Sequence, residues 1–414
     1  MKKCICLVTD WYPTKDNPFR GVFFKEQAFA VSEYFDFVVV HFNYHFKRNL
    51  FSKPRLINIS EENNTIEYTF DFPVSAFVYL ADLIEDLKIN YFLKKRIDGI
   101  GSYASRKHKK VVRDKLVRLF DNTVKEKIDV FYCIDAQREA FFIQCLSEKY
   151  NKPYIVSEHA PVPWPGELIK DINKYAIENA NLFIAISNDK IRQTLLQNIK
   201  IPKTVYLGNY IDETKLLLNS QKHEVKTFII VAANSFYKNY DLFIMLMNRL
   251  SEITDCPFKV MIVGYGSNLG YSKDPEGLEK QIKESKFANN AVLIPYVPHE
   301  KIGETLNQAD AFIMTSIQEG QPVSALEAAC CGLPVFSTRC GGVEDYIDSK
   351  MGRLYSVNDY EGMAQDLKLF LEDKLLFDSA YIREQVVSRF GNRAFINNFY
   401  NTFNKEIEQN CSVD

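Results

Sequence analysis

The chain has 414 residues, and its 51 lysine and arginine residues against 53 acidic ones leave a formal net charge of −2. Because a single hydrophobic core stops growing at roughly 250–300 residues, one undivided domain is not expected, and the length predicts two to three domains. Hydrophobic residues make up 46% and charged residues 25%, which argues against a disordered or fibrous chain. The near-neutral charge balance disfavours a dedicated nucleic-acid binder, which carries a strongly basic domain.

The apolar segments at the start of the chain and around the cysteines bear on its location. No apolar run approaches the ~18–20 residues needed to span a bilayer, and the first one ends at Asp10, too early for a secretory signal. Nine cysteines lie mostly in apolar segments, and neither Cys4/Cys6 nor Cys330/Cys331 has metal-ligand spacing with histidines nearby. We interpret them as reduced core thiols and expect a reducing, cytoplasmic compartment.

Short apolar runs alternate with longer amphipathic stretches along the first half of the chain. The runs predict strands at Cys4–Thr9, Phe35–His41, Val130–Ile134, Tyr154–Ser157, Leu182–Ile186 and Thr204–Leu207. Helices are predicted at Phe23–Glu33, Gln137–Lys149 and Ile169–Glu178. Two further stretches, Asn43–Glu67 and Leu93–Lys110, carry no pattern that we can interpret.

The alternation restarts after the polar stretch Asp212–Lys226, which we interpret as an interdomain hinge. Strands are predicted at Thr227–Ala232, Lys259–Val263, Ala291–Ile294, Ala311–Met314 and Pro334–Ser337. Helices are predicted at Tyr240–Leu250, Glu276–Lys286, His299–Asn307, Val323–Cys331, Asp359–Leu371, Leu375–Val387 and Asn392–Gln409. Continuous apolar strands flanked by helices are typical of parallel sheets covered on both faces.

The sequence therefore predicts two tandem, doubly wound α/β domains. We place the first at residues 1–211 and the second at 212–390. A helical tail at 391–414 is expected to cross back and pack on the first domain.

The stretch that follows the predicted strand Ala311–Met314 is the most informative for chemistry. Pro322 is suited to the first position of a helix, and the backbone N–H groups of Gly320–Ser324 would form an anion-binding helix start at the carboxyl edge of the sheet. Glu319 lies just before this helix and Glu327 lies along it, so the two carboxylates could hold sugar hydroxyls while the helix start holds phosphate. The alternative is that both glutamates lie on a surface helix.

The pattern Glu319-Gly320 … Leu326-Glu327-Ala328, followed by Cys331-Gly332-Leu333-Pro334-Val335, resembles the signature of glycosyltransferase family 4. Weaker similarities follow the family's order along nearly the whole chain, at Trp11-Tyr12-Pro13, at Ala180-Asn181-Leu182 and at Leu207-Gly208-Asn209-Tyr210. The resemblance implies the GT-B fold of two Rossmann-like domains and a retaining, nucleotide-sugar-dependent enzyme.

The resemblance also implies roles for individual side chains. Glu319 would contact the donor sugar, Glu327 the ribose hydroxyls, and Lys238 the donor diphosphate. The arginine that the family places five positions before this lysine is Ala233 here, which weakens the implied phosphate clamp. In the first domain, His159 matches the histidine that the family places near the donor sugar.

Glycines at several loops complete the implied site, because a glycine permits a close backbone approach to a ligand. Gly264 and Gly266 follow a predicted strand, as the family's glycine element does, and Gly341-Gly342 resembles the family's double-glycine loop, with a plain tight turn as the alternative. The implied catalytic residues are His159 and Glu319. The implied donor-binding residues are Gly21, Lys238, Gly264, Gly266, Val297, Gly320, Gln321, Pro322, Val323, Ser324 and Glu327.

We therefore expect a hexosyl-type transfer from a UDP- or GDP-sugar to a glycan or lipid-linked acceptor, in cell-surface polysaccharide biosynthesis. Asp10, Asp135 and Asp241 are isolated in the sequence, so no Asp-x-Asp metal site is predicted, and we expect metal-independent transfer without a cofactor. Two alternatives remain open. One is a nucleotide-sugar epimerase. The other is a non-catalytic scaffold that binds nucleotide sugars, an alternative supported by the alanine at position 233.

Ten lysine and arginine residues lie between Lys94 and Arg118, opposed only by Asp98 and Asp114. Such a run is usually a solvated helical face. Because basic residues near a membrane each contribute roughly 1 kcal/mol of attraction to anionic lipid, we expect peripheral contact with the inner face of the plasma membrane, with a purely soluble surface as the alternative.

Overall fold

A computed structural model describes residues 2–14, 20–47, 55–75, 117–160, 162, 169, 171–219, 223–266 and 274–411. The chain divides into two compact units, which we call the amino-terminal unit and the carboxyl-terminal unit. The amino-terminal unit comprises Met1–Ala185, Ile191–Tyr206 and Asn398–Asp414. The carboxyl-terminal unit comprises Ile186–Lys190 and Leu207–Asn397.

The amino-terminal unit is built on an eight-stranded sheet in the order β3-β4-β2-β1-β5-β6-β7-β8. Its strands are β1 (Lys3–Thr9), β2 (Phe35–Lys47), β3 (Arg55–Glu62), β4 (Thr65–Ser75), β5 (Val130–Cys133), β6 (Tyr154–Glu158), β7 (Leu182–Ala185) and β8 (Thr204–Tyr206). All neighbouring pairs are parallel except β3 and β4. Its helices include Val22–Ala30, Ala136–Tyr150, Asp171–Glu178 and the end of Asn392–Cys411, and Asn188–Leu196 lies partly in each unit.

The alternation of side chains along β1 divides the core of this unit between the two faces of the sheet. Cys6 and Val8 pack in one buried cluster with Val38 and Phe131. Leu7, which lies between them in sequence, is also buried and faces the other side. Both faces of the strand are therefore covered, as its continuous apolar sequence predicts.

The last helix of the chain, Asn392–Cys411, contributes aromatic side chains to the core of the amino-terminal unit. Phe403 is fully buried and stacks on Phe399, with 4.1 Å between their ring centroids. It also meets Tyr132 edge to face at 5.2 Å and Phe35 at 6.4 Å. The end of the helix is thus part of the amino-terminal unit, although it is the last segment of the sequence.

An antiparallel hairpin of β3 and β4 occupies part of the stretch Asn43–Glu67 that the sequence pattern left uninterpreted. Its turn is formed by Asn63 and Asn64, whose φ angles are +48° and +56°. Two successive residues with positive φ match the twist of a tight hairpin, and asparagine tolerates this conformation better than most residues. The two asparagines were the sequence signal for this turn.

The carboxyl-terminal unit contains a six-stranded parallel sheet in the order β11-β10-β9-β12-β13-β14. Its strands are β9 (Lys226–Val231), β10 (Phe258–Val263), β11 (Ala291–Ile294), β12 (Ala311–Met314), β13 (Val335–Thr338) and β14 (Gly352–Tyr355). Its helices are Tyr240–Ile253, Pro275–Lys283, Ile302–Leu306, Val323–Cys330, Tyr360–Leu371, Ser379–Phe390 and the beginning of Asn392–Cys411. Two parallel α/β units confirm the predicted pair of Rossmann-like domains.

Aspartates fix the beginnings of two of the helices that follow the last strand. Asp359 accepts a hydrogen bond from the backbone N–H of Gly362 at 2.9 Å. Asp378 accepts from the N–H groups of Ala380 and Tyr381 at 2.9 and 3.1 Å. Such N-caps satisfy N–H groups that a helix leaves unpaired at its start.

The structure departs from the sequence prediction at several positions. The units divide between Tyr206 and Leu207, five residues before the predicted position. Strand β14 was not predicted. Pro322 is the residue that precedes the helix Val323–Cys330 rather than its first residue, because its ψ of 111° is extended.

Eight of the nine cysteines have described side chains, and all eight are free thiols, seven of them buried. Burial raises the pKa of Cys330 and of Cys331 to about 12, so both thiols are protonated at neutral pH. Among the residues that the structure describes, no helix is both long and apolar enough to cross a membrane.

Candidate active site

The sheet of the carboxyl-terminal unit reverses its direction of strand succession between β9 and β12. Ligands of open parallel sheets bind outside the carboxyl ends of the strands at such a switch point. Lys238 follows β9 and Glu319 follows β12, and the Lys238 Nζ lies 2.6 Å from the Glu319 Oε1. Their side chains are only 24% and 14% exposed, so the ion pair is partly shielded from water and its charges interact more strongly than surface charges do.

Hydrogen bonds between the two loops hold this ion pair in place. Thr315 donates from its Oγ1 to the backbone carbonyl of Lys238 at 3.0 Å. The N–H of Ile317 donates to the carbonyl of Tyr237 at 2.7 Å. The loop after β9 and the loop after β12 are therefore joined by main-chain contacts as well as by the ion pair.

The double glycine after β13 packs directly against the segment that carries Glu319. The N–H of Glu319 donates to the carbonyl of Cys340 at 2.6 Å. A Cβ on Gly341 would lie 2.6 Å from the Glu319 carbonyl oxygen, and one on Gly342 would lie 2.8 Å from the Gln321 Cα. A side chain at either position would displace the loop, so the glycines allow a close backbone contact and are more than a tight turn.

The segment from Gly320 to Ser324 leads into the helix Val323–Cys330. The N–H groups of its first turn have no partner within the helix and carry partial positive charge, as at any helix start. Gln321 is buried and is tied to Asn209, whose side chain donates to the Gln321 carbonyl at 2.8 Å. The backbone N–H of Asn209 also donates to the Gln321 Oε1, so the side chain of Gln321 has a structural contact as well.

Glu327, one turn into this helix, is paired with a histidine that the sequence analysis did not single out. The His299 Nε2 lies 2.7 Å from the Glu327 Oε1, and the Glu327 side chain is 8% exposed. His299 begins a short 3₁₀ turn after β11. No sequence motif connects these residues, because the pair forms only when separate loops meet at one edge of the sheet.

The remaining predicted residues of this unit lie at the ends of the neighbouring strands β10 and β11. Gly264 has a φ of +83°, and its N–H donates to the Ile294 carbonyl at 2.9 Å. The N–H of Gly266 donates to the Pro295 carbonyl at 2.9 Å. Val297, two residues further on, packs against the apolar core of the unit.

The predicted arginine position, Ala233, is buried in the loop after β9. That loop is fixed at two points near it. The Tyr240 hydroxyl donates to the Ala232 carbonyl at 2.8 Å, and the Asn234 side chain donates to the Asp274 carbonyl at 3.0 Å. Lys238 is thus the residue of this loop that supplies the positive charge of the ion pair with Glu319.

The two predicted residues of the amino-terminal unit lie at different elements. His159 directly follows β6, with its Nε2 3.0 Å from the Ser157 Oγ and its ring edge to face with Phe24 at 4.7 Å. Gly21 immediately precedes the helix Val22–Ala30 with a φ of +65°. A Cβ at Gly21 would overlap the Trp11 carbonyl, so this position requires glycine.

Asp10 and Asp135, which are isolated in the sequence, are linked in the structure through the side chain of Glu139. Glu139 lies in the helix after β5, and its carboxyl group accepts hydrogen bonds from the N–H groups of Asp10, at 2.5 Å, and of Asp135, at 3.3 Å. Burial, followed by the neighbouring charges of Asp10 and Asp135, holds the pKa of Glu139 well above its usual range. One buried carboxyl group therefore joins the segments that follow β1 and β5.

This shift predicts a pH dependence of stability. The native Glu139 stays protonated where the unfolded chain has already ionised, so the unfolded state binds fewer protons and stability falls as pH rises above about 4.3, until the native pKa is reached. The limiting slope is about 1.4 kcal/mol per pH unit. We expect Glu139→Gln to weaken this fall in stability in urea unfolding curves recorded at increasing pH from about pH 5. Equal slopes in both proteins would contradict the assignment.

Two α/β units on mostly parallel sheets, one of which presents a lysine–glutamate pair beside a helix start, are the architecture of a protein of the GT-B fold. Residues 214–386 match the family model described as Glycosyl transferases group 1. That range contains Lys238, Glu319 and Glu327.

Similar proteins are consistent with this class. A 2-deoxystreptamine N-acetyl-D-glucosaminyltransferase of Niallia circulans is 25% identical over 185 residues, which are 44% of this chain and 46% of the relative. The chain thus spans about half the length of this relative. Sucrose-phosphate synthase from Thermosynechococcus elongatus superimposes with a TM-score of 0.71 at 13% identity, over 98% of this chain and 99% of that one. HepE of Anabaena in complex with UDP gives 0.63 at 14% identity, over 97% and 100%.

Proposed function

We propose that the protein is a retaining glycosyltransferase that moves a hexosyl group from a UDP- or GDP-sugar to a glycan or lipid-linked acceptor. The observation that carries the proposal is the 2.6 Å contact of Lys238 with Glu319 at the switch point of the carboxyl-terminal sheet. This pair adjoins the start of the helix Val323–Cys330. The range of the family model covers both features.

In this proposal the negative charge of the departing diphosphate is stabilised by the side chain of Lys238 and by the N–H groups at the helix start. Fixed charges and dipoles aimed at a developing charge supply the largest share of many enzymes' catalysis. Both sources of positive potential belong to the protein, so we propose that transfer proceeds without a metal ion or a cofactor. Glu319 would hold the donor sugar after the diphosphate displaces it from Lys238.

The nucleoside part of the donor would lie against Glu327 and the loops that follow β10 and β11. Glu327 would accept hydrogen bonds from the ribose hydroxyls, with His299 fixing its carboxylate. The backbones of Gly264, Gly266 and Val297 would lie against the nucleotide. We assign the acceptor to the amino-terminal unit, with His159 as its catalytic residue near the donor sugar, and place the reaction in cell-surface polysaccharide biosynthesis.

Incubation of the full chain with UDP-, GDP- and ADP-sugars, with and without simple glycoside acceptors, tests the proposal. We expect diphosphate release from one donor type, acceleration by an acceptor, a product with the donor's anomeric configuration, and no loss in excess EDTA. Epimer formation from the free donor would instead indicate an epimerase. Binding without any turnover would indicate a scaffold, and inhibition by EDTA would contradict the metal-independent step.

We also propose peripheral contact with anionic membranes, supported by the basic run between Lys94 and Arg118. Of that run only Arg118 lies within the described residues, and its side chain is exposed. Flotation with anionic liposomes tests this proposal. Binding that neither depends on anionic lipid nor weakens with salt would refute it.

A further inference from the structure

The sheet of the amino-terminal unit has its own switch point, between β1 and β5. The order β3-β4-β2-β1-β5-β6-β7-β8 places β2 on one side of β1 and β5 on the other. Asp10 directly follows β1, and Asp135 lies two residues after β5. The rule that places ligands outside the carboxyl ends of strands at a switch point applies here as it does in the other unit.

Two arginines face these aspartates at distances of 3.7 to 4.0 Å. The Arg20 Nη2 lies 3.7 Å from the Asp10 Oδ2, and the Arg138 Nη1 lies 3.8 Å from the same oxygen. The Arg138 Nε lies 4.0 Å from the Asp135 Oδ2. These distances allow electrostatic attraction but exceed hydrogen-bond length. Two carboxylates and two guanidinium groups meet here, and the buried Glu158, which forms a β-bridge with Asp135, adds a further carboxyl group.

Asp10 and Arg20 each carry a polar atom that is buried and lacks a hydrogen-bond partner. Within the described part of the chain, the Asp10 Oδ1 and the Arg20 Nε are in this state. Both residues are held in place, because Glu139 binds the backbone of Asp10 and the Arg20 guanidinium lies over the Trp11 ring, 4.6 Å from its centroid. Buried polar groups in native proteins nearly always have partners, so these two atoms indicate that a ligand completes the site.

One acceptor atom and one donor atom, on side chains that approach each other to 3.7 Å, match the chemistry of a hydroxyl group. A hydroxyl can donate to the Asp10 carboxylate and accept from the Arg20 guanidinium at once. An anionic ligand would be attracted by the guanidinium groups but repelled by Asp10 and Asp135. Because carboxyl groups outnumber guanidinium groups here, an uncharged, hydroxylated ring is favoured over an anion.

We infer that Asp10 and Arg20 bind a hydroxyl group of the acceptor, and that the acceptor unit bound here is a neutral sugar or a similar polyol ring. This inference rests on the proposed function, since it assigns the acceptor position of that reaction. It names two residues of the amino-terminal unit, in addition to His159, that would contact the acceptor. Arg138 and Asp135 line the same position and set its charge.

Saturation-transfer NMR on the full chain tests the inference, with methyl glucoside, methyl galactoside and N-acetylglucosamine as neutral probes and glucose 6-phosphate as an anionic one. We expect transfer to at least one neutral probe and its loss in Asp10→Asn and in Arg20→Gln. A charge-assisted hydrogen bond corresponds to a change of about 10- to 100-fold in affinity. In turnover assays the same variants should raise the acceptor KM while leaving the donor KM unchanged.

Arg55→Gln is the matched control. Arg55 forms an arginine–aspartate pair of 3.4 Å with Asp71 on the edge strand β3 of the same unit, and its loss should leave probe binding intact. Equal transfer in Asp10→Asn, Arg20→Gln and the wild-type chain would overturn the inference, as would transfer to the phosphorylated sugar alone or to no probe.

UDP binding, measured by thermal shift on the same samples, distinguishes the proposed glycosyltransferase function from the proposed acceptor site. A chain that binds neutral sugars through Asp10 but neither binds nor cleaves any sugar nucleotide would refute the proposed function while retaining the site. A chain that transfers sugar with wild-type kinetics after both substitutions would refute the site while retaining the function.

Discussion

Glu319→Gln is expected to lower turnover of the preferred sugar nucleotide by about 10²–10³-fold, equivalent to ~2.7–4 kcal/mol of transition-state stabilisation. The substitution keeps the shape of the side chain but removes the charge that contacts Lys238 at 2.6 Å. A neutral amide holds the lysine and the donor sugar less firmly, so the preorganised geometry is lost. Steady-state rates of diphosphate release measure the effect, and circular dichroism checks that the fold is intact.

Glu372→Gln provides a matched control for this prediction. Glu372 contacts Lys374 at 2.7 Å, and the Lys374 side chain is 66% exposed, so the pair resembles the first in geometry but not in shielding from water. We expect its removal to leave turnover unchanged. Full activity in Glu319→Gln, or an equal loss in both variants, would remove Glu319 from the active site.

Phe403→Ala is expected to destabilise the amino-terminal unit by about 3–5 kcal/mol, the usual cost of truncating a buried phenylalanine. The Phe403 ring is fully buried and contacts aromatic side chains of β2 and β5. Its removal leaves a cavity that the surrounding strands cannot close. Trp11 belongs to this unit, so tryptophan fluorescence during urea unfolding reports its transition.

Asn401→Ala is the control on the same helix, because its side chain is exposed. A surface substitution of this kind changes stability by no more than about 0.5 kcal/mol. If Phe403→Ala unfolds at the same urea concentration as Asn401→Ala, the end of the last helix does not stabilise this unit as its contacts indicate.

The strands and most helices could be predicted because each is a local pattern. Continuous apolar runs such as Val130–Cys133 read as buried strands on their own, without knowledge of their neighbours. The hairpin β3–β4 escaped notice because Ile57 and Ile59 of its edge strand are exposed, so its apolar residues do not mark a core. The turn at Asn63-Asn64 was the available signal.

The candidate site was predictable only where its residues lie close together in sequence. Glu319 and the helix start belong to one continuous stretch, and their contact with the double glycine follows from neighbouring parallel strands. The pairing of His299 with Glu327 joins residues 28 positions apart, and that of Asp10 with Glu139 joins residues 129 apart. Contacts of this kind depend on loop conformations, which the spacing of residues in the sequence does not predict.

Because the last helix belongs to both units, it affects the order in which the two units can fold during synthesis. Domains generally fold as they emerge from the ribosome, the amino-terminal one first. Here the aromatic ring that packs against Tyr132 and Phe35 arrives at position 403, after the whole carboxyl-terminal unit has been translated. The amino-terminal unit is therefore synthesised first but completes its hydrophobic core last. A chain interrupted before residue 398 would leave apolar side chains of that core exposed to chaperones and proteases.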